Sequence, residues 1–417
     1  MSENNEIKES LNKNYKVPKL RFPEFKDDWK ITLIEDICTN EKYSFTGGPF
    51  GSNLKVSDYT QSGVRVIQLN NINDIYFNDD NKVFVSVKKA DSLKSCNAYS
   101  GDLIFAKMMP AGRLCILPKT YDRYLLGSDA IRLKPNIDKY YCFFLLECLN
   151  RTIIRNSITS KTSGSTRQRI GLSDLKKTSF YCPNYIEQKQ IGLFFELIES
   201  KISIISKKIN ILKKYKEGIK KYVMKDTIKF WKTGIGNAIE LKKYLIEKNE
   251  YCVKNGLYPH ITLSTEGITD KSERYDRDFL VKNEDKKYKI THLNQLCYNP
   301  ANLKFGVICI NKYGNGIFSP IYSTFDINNI TIDYLELIIT SNDFINYSMK
   351  YQQGTVFERM SVSSDDLCKI KIITTSFDEQ QKIAKVADTL NKKISKLEDE
   401  LLSLKHLKST LLNDMFI

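Results

Sequence analysis

The sequence predicts an α+β protein with two duplicated mixed α/β domains, separated by two long antiparallel coiled-coil helices and related by an internal pseudo-two-fold axis. Three observations carry that expectation. Ile191, Phe195, Ile198, Ile202, Ile205, Ile209, Leu212, Lys216, Ile219 and Val223 step by four and three without a slip, the a/d pattern of a coiled-coil seam. Ile383, Ala387, Leu390, Ile394, Leu397, Leu401, Leu404, Lys408, Leu411 and Met415 repeat it 192 positions later, down to the single Lys in each seam. The stretches before the two helices also repeat, as short β-prone runs with landmarks in the same order. Ile67 and Leu69 are matched by Ile261 and Leu263, Leu103 by Leu296, Gly112 by Gly306 and Ser128 by Ser319. Gly164 with Arg169 is matched by Gly354 with Arg359.

Residues 1–17 are polar and read as a flexible tail. The first domain, 18–183, opens on Leu20-Arg-Phe-Pro-Glu-Phe25 and Trp29. Proline forbids a helix there, and the aromatic residues suit a segment pinned to a domain surface. Residues 64–69, 83–87 and 103–106 read as strands, and 140–154 as one helix. The spacer helices take 184–229 and 376–417, with the second domain, 230–375, between them. Each helix opens on a capping box, Asn184/Glu187 and Ser376/Glu379. A heptad helix cannot bury its own seam, and the natural partner here is its copy. With each helix following its own domain, the simplest pairing is antiparallel, which puts one domain at each end of a rod, as in a two-fold dimer.

The apolar share of 41% is enough to build real cores and excludes a disordered polymer. A net charge of +15 points to nucleic acid as a partner ahead of acidic proteins or anionic lipid. The ten Cys include no C-x-x-C, so neither a zinc ribbon nor a redox motif is present, and reduced thiols are expected. The opening Met1-Ser-Glu-Asn-Asn-Glu6 is unlike a signal peptide, and the longest apolar stretch, 140–149, is too short to span a bilayer. The expectation is a cytoplasmic protein without membrane contact.

Four segments together carry a family likeness. Leu20-Arg-Phe-Pro-Glu-Phe25 with Trp29, Gly101-Asp-Leu-Ile-Phe-Ala-Lys107, Gly164-Ser-Thr-Arg-Gln-Arg169 with Leu175, and Glu187-Gln-Lys-Gln-Ile191 resemble the specificity subunit of type I restriction–modification systems, over nearly the whole chain. The resemblance implies two target-recognition domains that read the two halves of a split site in double-stranded DNA. It also implies that methylation and cleavage belong to partners: two methyltransferase subunits, which would bind S-adenosylmethionine, and restriction or translocase subunits. Service to a solitary methyltransferase, or to a combined cleavage and methylation system without a motor, is the alternative. An enzyme acting on DNA in its own right is the rival from another class. The second domain departs from the pattern, because its opening, Ile239-Glu-Leu-Lys242, lacks the Trp-led segment.

The residues give little to catalysis. His260, His292 and His406 stand at no ligand spacing from one another or from Cys, so no metal site is expected. Asn299-Pro-Ala-Asn302 lacks the second Pro and the aromatic of an amino-methyltransferase loop, and reads as the loop that ends a strand. Gly47-Gly-Pro-Phe-Gly51 and the residues to Lys55 lack the Gly-Lys-Ser/Thr of a nucleotide loop, so no cofactor is expected on this chain.

DNA-binding candidates are richer. Lys55 follows small residues that let backbone approach a phosphate. Lys107 and Arg113 flank a loop between two strands, and Asn302 and Lys304 lie in its counterpart. Arg167, Gln168 and Arg169 form a second loop, matched by Gln352, Gln353 and Arg359. Arg can pair with guanine, and Asn or Gln with adenine, through two hydrogen bonds each. The helices differ in charge: 186–225 carries ten Lys against four Glu, whereas 377–417 balances seven against seven, so only the first adds attraction for phosphate or for an acidic partner face.

Overall fold

The computed structural model describes residues 17–108, 111–164, 168–253, 256–271, 287–354 and 360–417. The expected tail lies outside them but for Val17, and so do Arg167 and Arg359. The chain divides into two compact units, one running to Ile205 and including Glu400–Ile417, the other Ser206–Asp399. Both long helices, Tyr185–Thr233 and Phe377–Met415, are therefore shared between the units. Every seam position is buried or half-buried, while Ser403, off the seam, is exposed.

In the first unit, strand Lys30–Leu33 pairs antiparallel with Ser179–Cys182. One sheet runs Phe45–Gly47, Ala130–Leu133, Leu103–Ala106, Leu114–Ile116 and Ile75–Tyr76 in spatial order. A second runs Tyr59–Thr60, Phe84–Val85, Val64–Ile67, Tyr124–Leu126 and Asn97–Ala98. The expected strand over 83–87 is shorter because the Ser86 hydroxyl accepts from the Lys89 N–H and starts helix Val87–Ser92. The single helix expected over 140–154 is two, Cys142–Asn150 and Thr152–Thr159. The Asn150 amide exchanges hydrogen bonds with the backbone of Leu114 at 3.0 and 2.8 Å, and Arg151 is extended at ψ 145°.

The core of this unit is aromatic. Trp29, Phe144, Phe195 and Phe416 pack with ring centroids 5.3–6.1 Å apart. Phe195 lies near the start of the first long helix and Phe416 just past the end of the second, so the segments run antiparallel here. The opening segment is pinned as expected, to the first long helix: Arg21 donates to both carboxylate oxygens of Glu187 at 2.7 and 2.8 Å, with Trp29 Nε1 at 3.2 Å. Asn184 caps the Glu187 N–H at 3.0 Å, so one half of the capping box forms as expected while its carboxylate anchors the opening segment.

The second unit repeats this plan. Ile239–Glu240 pairs antiparallel with Lys371–Ile372, and a sheet runs Leu245–Lys248, Ser323–Ile327, Leu296–Tyr298 and Ile308–Ile310, the order of the first four strands of its counterpart. The side-chain devices repeat as well. Gln188 accepts from the Tyr141 N–H and donates to the Pro183 carbonyl; Gln380 accepts from Thr331 and donates to Thr375. Lys213 reaches Glu398 at 2.7 Å and Tyr222 reaches Glu379 at 3.3 Å, so the helix segments are antiparallel here too. The units diverge elsewhere: Tyr251–Val253, Lys287–Thr291 and Gly316–Phe318 form one small sheet, and Ile261–Ser264 with Gly267–Asp270 a hairpin.

Candidate nucleic-acid interface

Leu103–Ala106 and Leu114–Ile116 pair antiparallel with Phe105 opposite Leu114. The loop that joins them must turn back within a few residues, and Gly112 does so at φ +83°. Its N–H reaches the Ala106 carbonyl at 3.1 Å, and an added Cβ would press on Ile158. Lys107, half-buried, donates its N–H to the Asp129 carbonyl at 2.8 Å and accepts from Ile170 at 3.0 Å. Ser163 and Arg169 thus lie against the hairpin loop: they exchange backbone bonds of 3.0 Å, and Met108 bridges Arg169. Arg169 Nε lies 2.7 Å from Asp129 Oδ1 with the side chain 38% exposed, so the carboxylate fixes one edge of a guanidinium that still meets solvent. Gln168 beside it is exposed. Arg113 is half-buried, and its Nε has no hydrogen-bond partner among the described residues.

The loop bearing Lys55 begins at the same sheet. Gly48 donates to the Ala130 carbonyl at 2.9 Å, and a Cβ there would overlap the Gly127 oxygen, so no other residue fits. Lys55 is exposed and its N–H is capped by Asp58 at 2.8 Å. The same loop presents Phe50, 85% exposed, a residue that sequence reasoning passed over. Its signal was there, since an aromatic between Gly-Pro and Gly has no helix or strand in which to hide.

The second unit builds the equivalent pair. Leu296–Tyr298 and Ile308–Ile310 form the hairpin, and Gly306 turns the loop at φ +80°. The Asn299 side chain accepts from the N–H groups of Ala301 and Asn302, which makes it a turn residue, as the strand-ending reading expected. Asn302 is exposed, and Lys304 lies over the ring of Phe305, itself 65% exposed. Val362 donates to the Pro300 carbonyl at 3.1 Å, repeating Ile170 on Lys107. Gln353 and Ser361 exchange backbone bonds as Ser163 and Arg169 do, with Gln353 exposed and Gln352 half-buried. In backbone pairing, then, the counterpart of Arg169 is Ser361, not Arg359. The second loop is two residues longer, and a constant offset in numbering could not reveal it.

Among the described residues no group of three or more His, Cys, Asp or Glu could hold a metal ion. All ten Cys are free, and burial pushes the Cys297 and Cys148 thiols up to about 12, far from thiolate reactivity at neutral pH. No described helix is long and apolar enough to cross a membrane.

Two copies of one sheet-and-loop unit, each with segments of two long antiparallel helices, define a duplicated α+β protein with basic and amide side chains in matched loops. Residues 26–214 match the family model described as “Type I restriction modification DNA specificity domain”. The fold is similar to that of the type I restriction–modification S subunit from M. genitalium, with a TM-score of 0.63 at 17% identity over 96% of this chain and 99% of that one. HsdS from Thermoanaerobacter tengcongensis aligns over 94% of this chain and 98% of its own at 14% identity and a TM-score of 0.39.

Proposed function

We propose that this chain is the sequence-recognition subunit of a type I restriction–modification methyltransferase, in which each unit reads one half of a split DNA site. The observation that carries the reading is the repeated pair of loops, hairpin and ladder, held by equivalent backbone bonds in both units. In the first unit Lys55, Lys107 and Arg113 contact the phosphates, and Arg167, Gln168 and Arg169 the bases. In the second, Lys304 and Arg359 serve the backbone, and Asn302, Gln352 and Gln353 the bases. An Arg or amide side chain fixed in direction can discriminate a base pair through two hydrogen bonds, worth about 1–3 kcal/mol each. The clamp of Asp129 on Arg169 supplies that fixed direction.

Methyl transfer and cleavage fall to partner subunits in the cytoplasm, with S-adenosylmethionine on the methyltransferase subunits. The isolated chain transfers no methyl group. The test is co-expression with the methyltransferase partner and genome-wide mapping of methylated sites. Arg169→Ala should relax one position in one half-site and leave the other half unchanged. Unchanged specificity with Arg169→Ala, Gln168→Ala and Asn302→Ala alike would remove these loops from recognition.

A further inference from the structure

An apolar groove of about 770 Å³ runs along the helix pair of the second unit, lined by Ile211, Tyr215, Ile219, Tyr222, Glu379 and Val386 among others. Ile211, Tyr215, Tyr222 and Val386 are 53–65% exposed, an unusual state for four large apolar side chains in one place. The duplication shows what such a groove is built to hold. The position equivalent to Glu379 is Glu187, which takes Arg21; that of Lys382 is Gln190, which donates to Glu24 at 2.6 Å. The equivalent of Val386 is Phe194, packed edge-on against Phe22 at 6.2 Å, and that of Tyr222 is Asp414, whose carbonyl accepts from the Leu20 N–H at 2.8 Å. In the first unit the groove is filled by Leu20–Glu24.

The second domain cannot fill its own copy from the preceding chain. Only the five residues 234–238 join the first long helix to strand Ile239–Glu240, whereas the Arg21 segment has the run from Val17 to Trp29. The chain's one Leu-Arg-Phe-Pro-Glu-Phe segment is already bound in the first unit. Residues 1–16 contain neither arginine nor phenylalanine. A second copy of this chain would have to empty one groove to fill the other, which buries no additional apolar surface.

We propose that this groove is the docking site for a segment of a different polypeptide, in which an arginine sits beside a bulky apolar residue and an acidic residue follows. The arginine pairs with Glu379, the apolar side chain lies on Val386 and Tyr222, and the acid meets Lys382. The proposal does not depend on the reading of DNA and goes beyond it.

The probe is a fluorescent synthetic peptide with the sequence of residues 17–29, titrated by anisotropy into the full-length chain. It should bind saturably. The same peptide with Arg21→Ala should bind at least tenfold more weakly, as should the wild-type peptide with the Glu379→Lys chain. The peptide change leaves the protein untouched, so misfolding cannot mimic its effect. No binding of the wild-type peptide at 1 mM, as for a groove covered by another segment of the same chain, would overturn the proposal, and so would equal binding of both peptides. Sedimentation of the free chain supplies the remaining arm: a concentration-dependent dimer lost in Glu379→Lys would make a second copy the occupant and overturn the choice of a different polypeptide.

Discussion

In the first unit the seam lysine, Lys408, lies 2.7 Å from Glu147 and also pairs with Glu199, with 11% of its side chain exposed. In the second unit its counterpart, Lys216, is half-buried with its pKa held below the ordinary lysine range, first by burial and then by the charge of Lys220. The acid nearest in role, Glu336, is engaged at 2.6 Å by Lys312. One heptad position thus hosts a lysine held by two carboxylates in one unit and an under-compensated cation in the other. The geometry of the seam survives duplication because apolar packing sets it, whereas the partner of a buried charge depends on single substitutions in the facing helix.

The largest expected difference follows directly. Lys408→Met strands two carboxylates in the first unit and should cost about 3–5 kcal/mol in chemical denaturation, since breaking a buried pair leaves an unpaired charge. Lys216→Met should be neutral or raise the melting temperature of the second unit. Equal losses from both would erase the distinction. Leu397→Asp places a charge on the seam and should lose about 2–4 kcal/mol, against less than about 0.5 kcal/mol for the exposed Ser403→Asp.

The triad also makes the first unit sensitive to pH. Burial, opposed by Lys408 and aided by Glu199, raises the Glu147 pKa to about 7. The folded state therefore holds a proton that the unfolded chain releases at its lower, ordinary carboxylate pKa. Stability from this group is complete below that ordinary value and is lost as pH rises to about 7. Glu147→Gln should flatten that part of the stability profile. A decline of the same size in the variant would assign the effect to another group.

Much of this was legible because the strongest signals are local and periodic. The heptads located both helices, and Gly112 and Gly306 marked two loops because only a residue tolerant of positive φ turns there. The break at Asn150–Arg151 was not legible, since it depends on a side-chain bond to Leu114, distant in sequence. Nor were the partners of Glu187 and Glu379, where tertiary interactions use carboxylates that a local rule assigned to the helix cap. The matched loops were found by order, but Arg169 was paired with the wrong residue because two extra residues shift the ladder. The structure brings Lys107, Gln168 and Arg169 to adjoining loops, whereas Lys55 lies on a separate loop that starts beside Gly127.

A smaller effect concerns affinity. Binding of the assembled complex to DNA should weaken with salt, and Lys107→Ala should reduce the log–log slope by about 0.9, with the recognised sequence unchanged. An unchanged slope would take Lys107 off the phosphates.

The two-reader account is tested most directly by exchanging residues 239–372 for the equivalent region of a relative with a different site, and then mapping methylation with the partner subunits present. One half-site should change to that of the relative while the other keeps its sequence. A change in both halves, or in neither, would contradict the claim that each unit reads its own half.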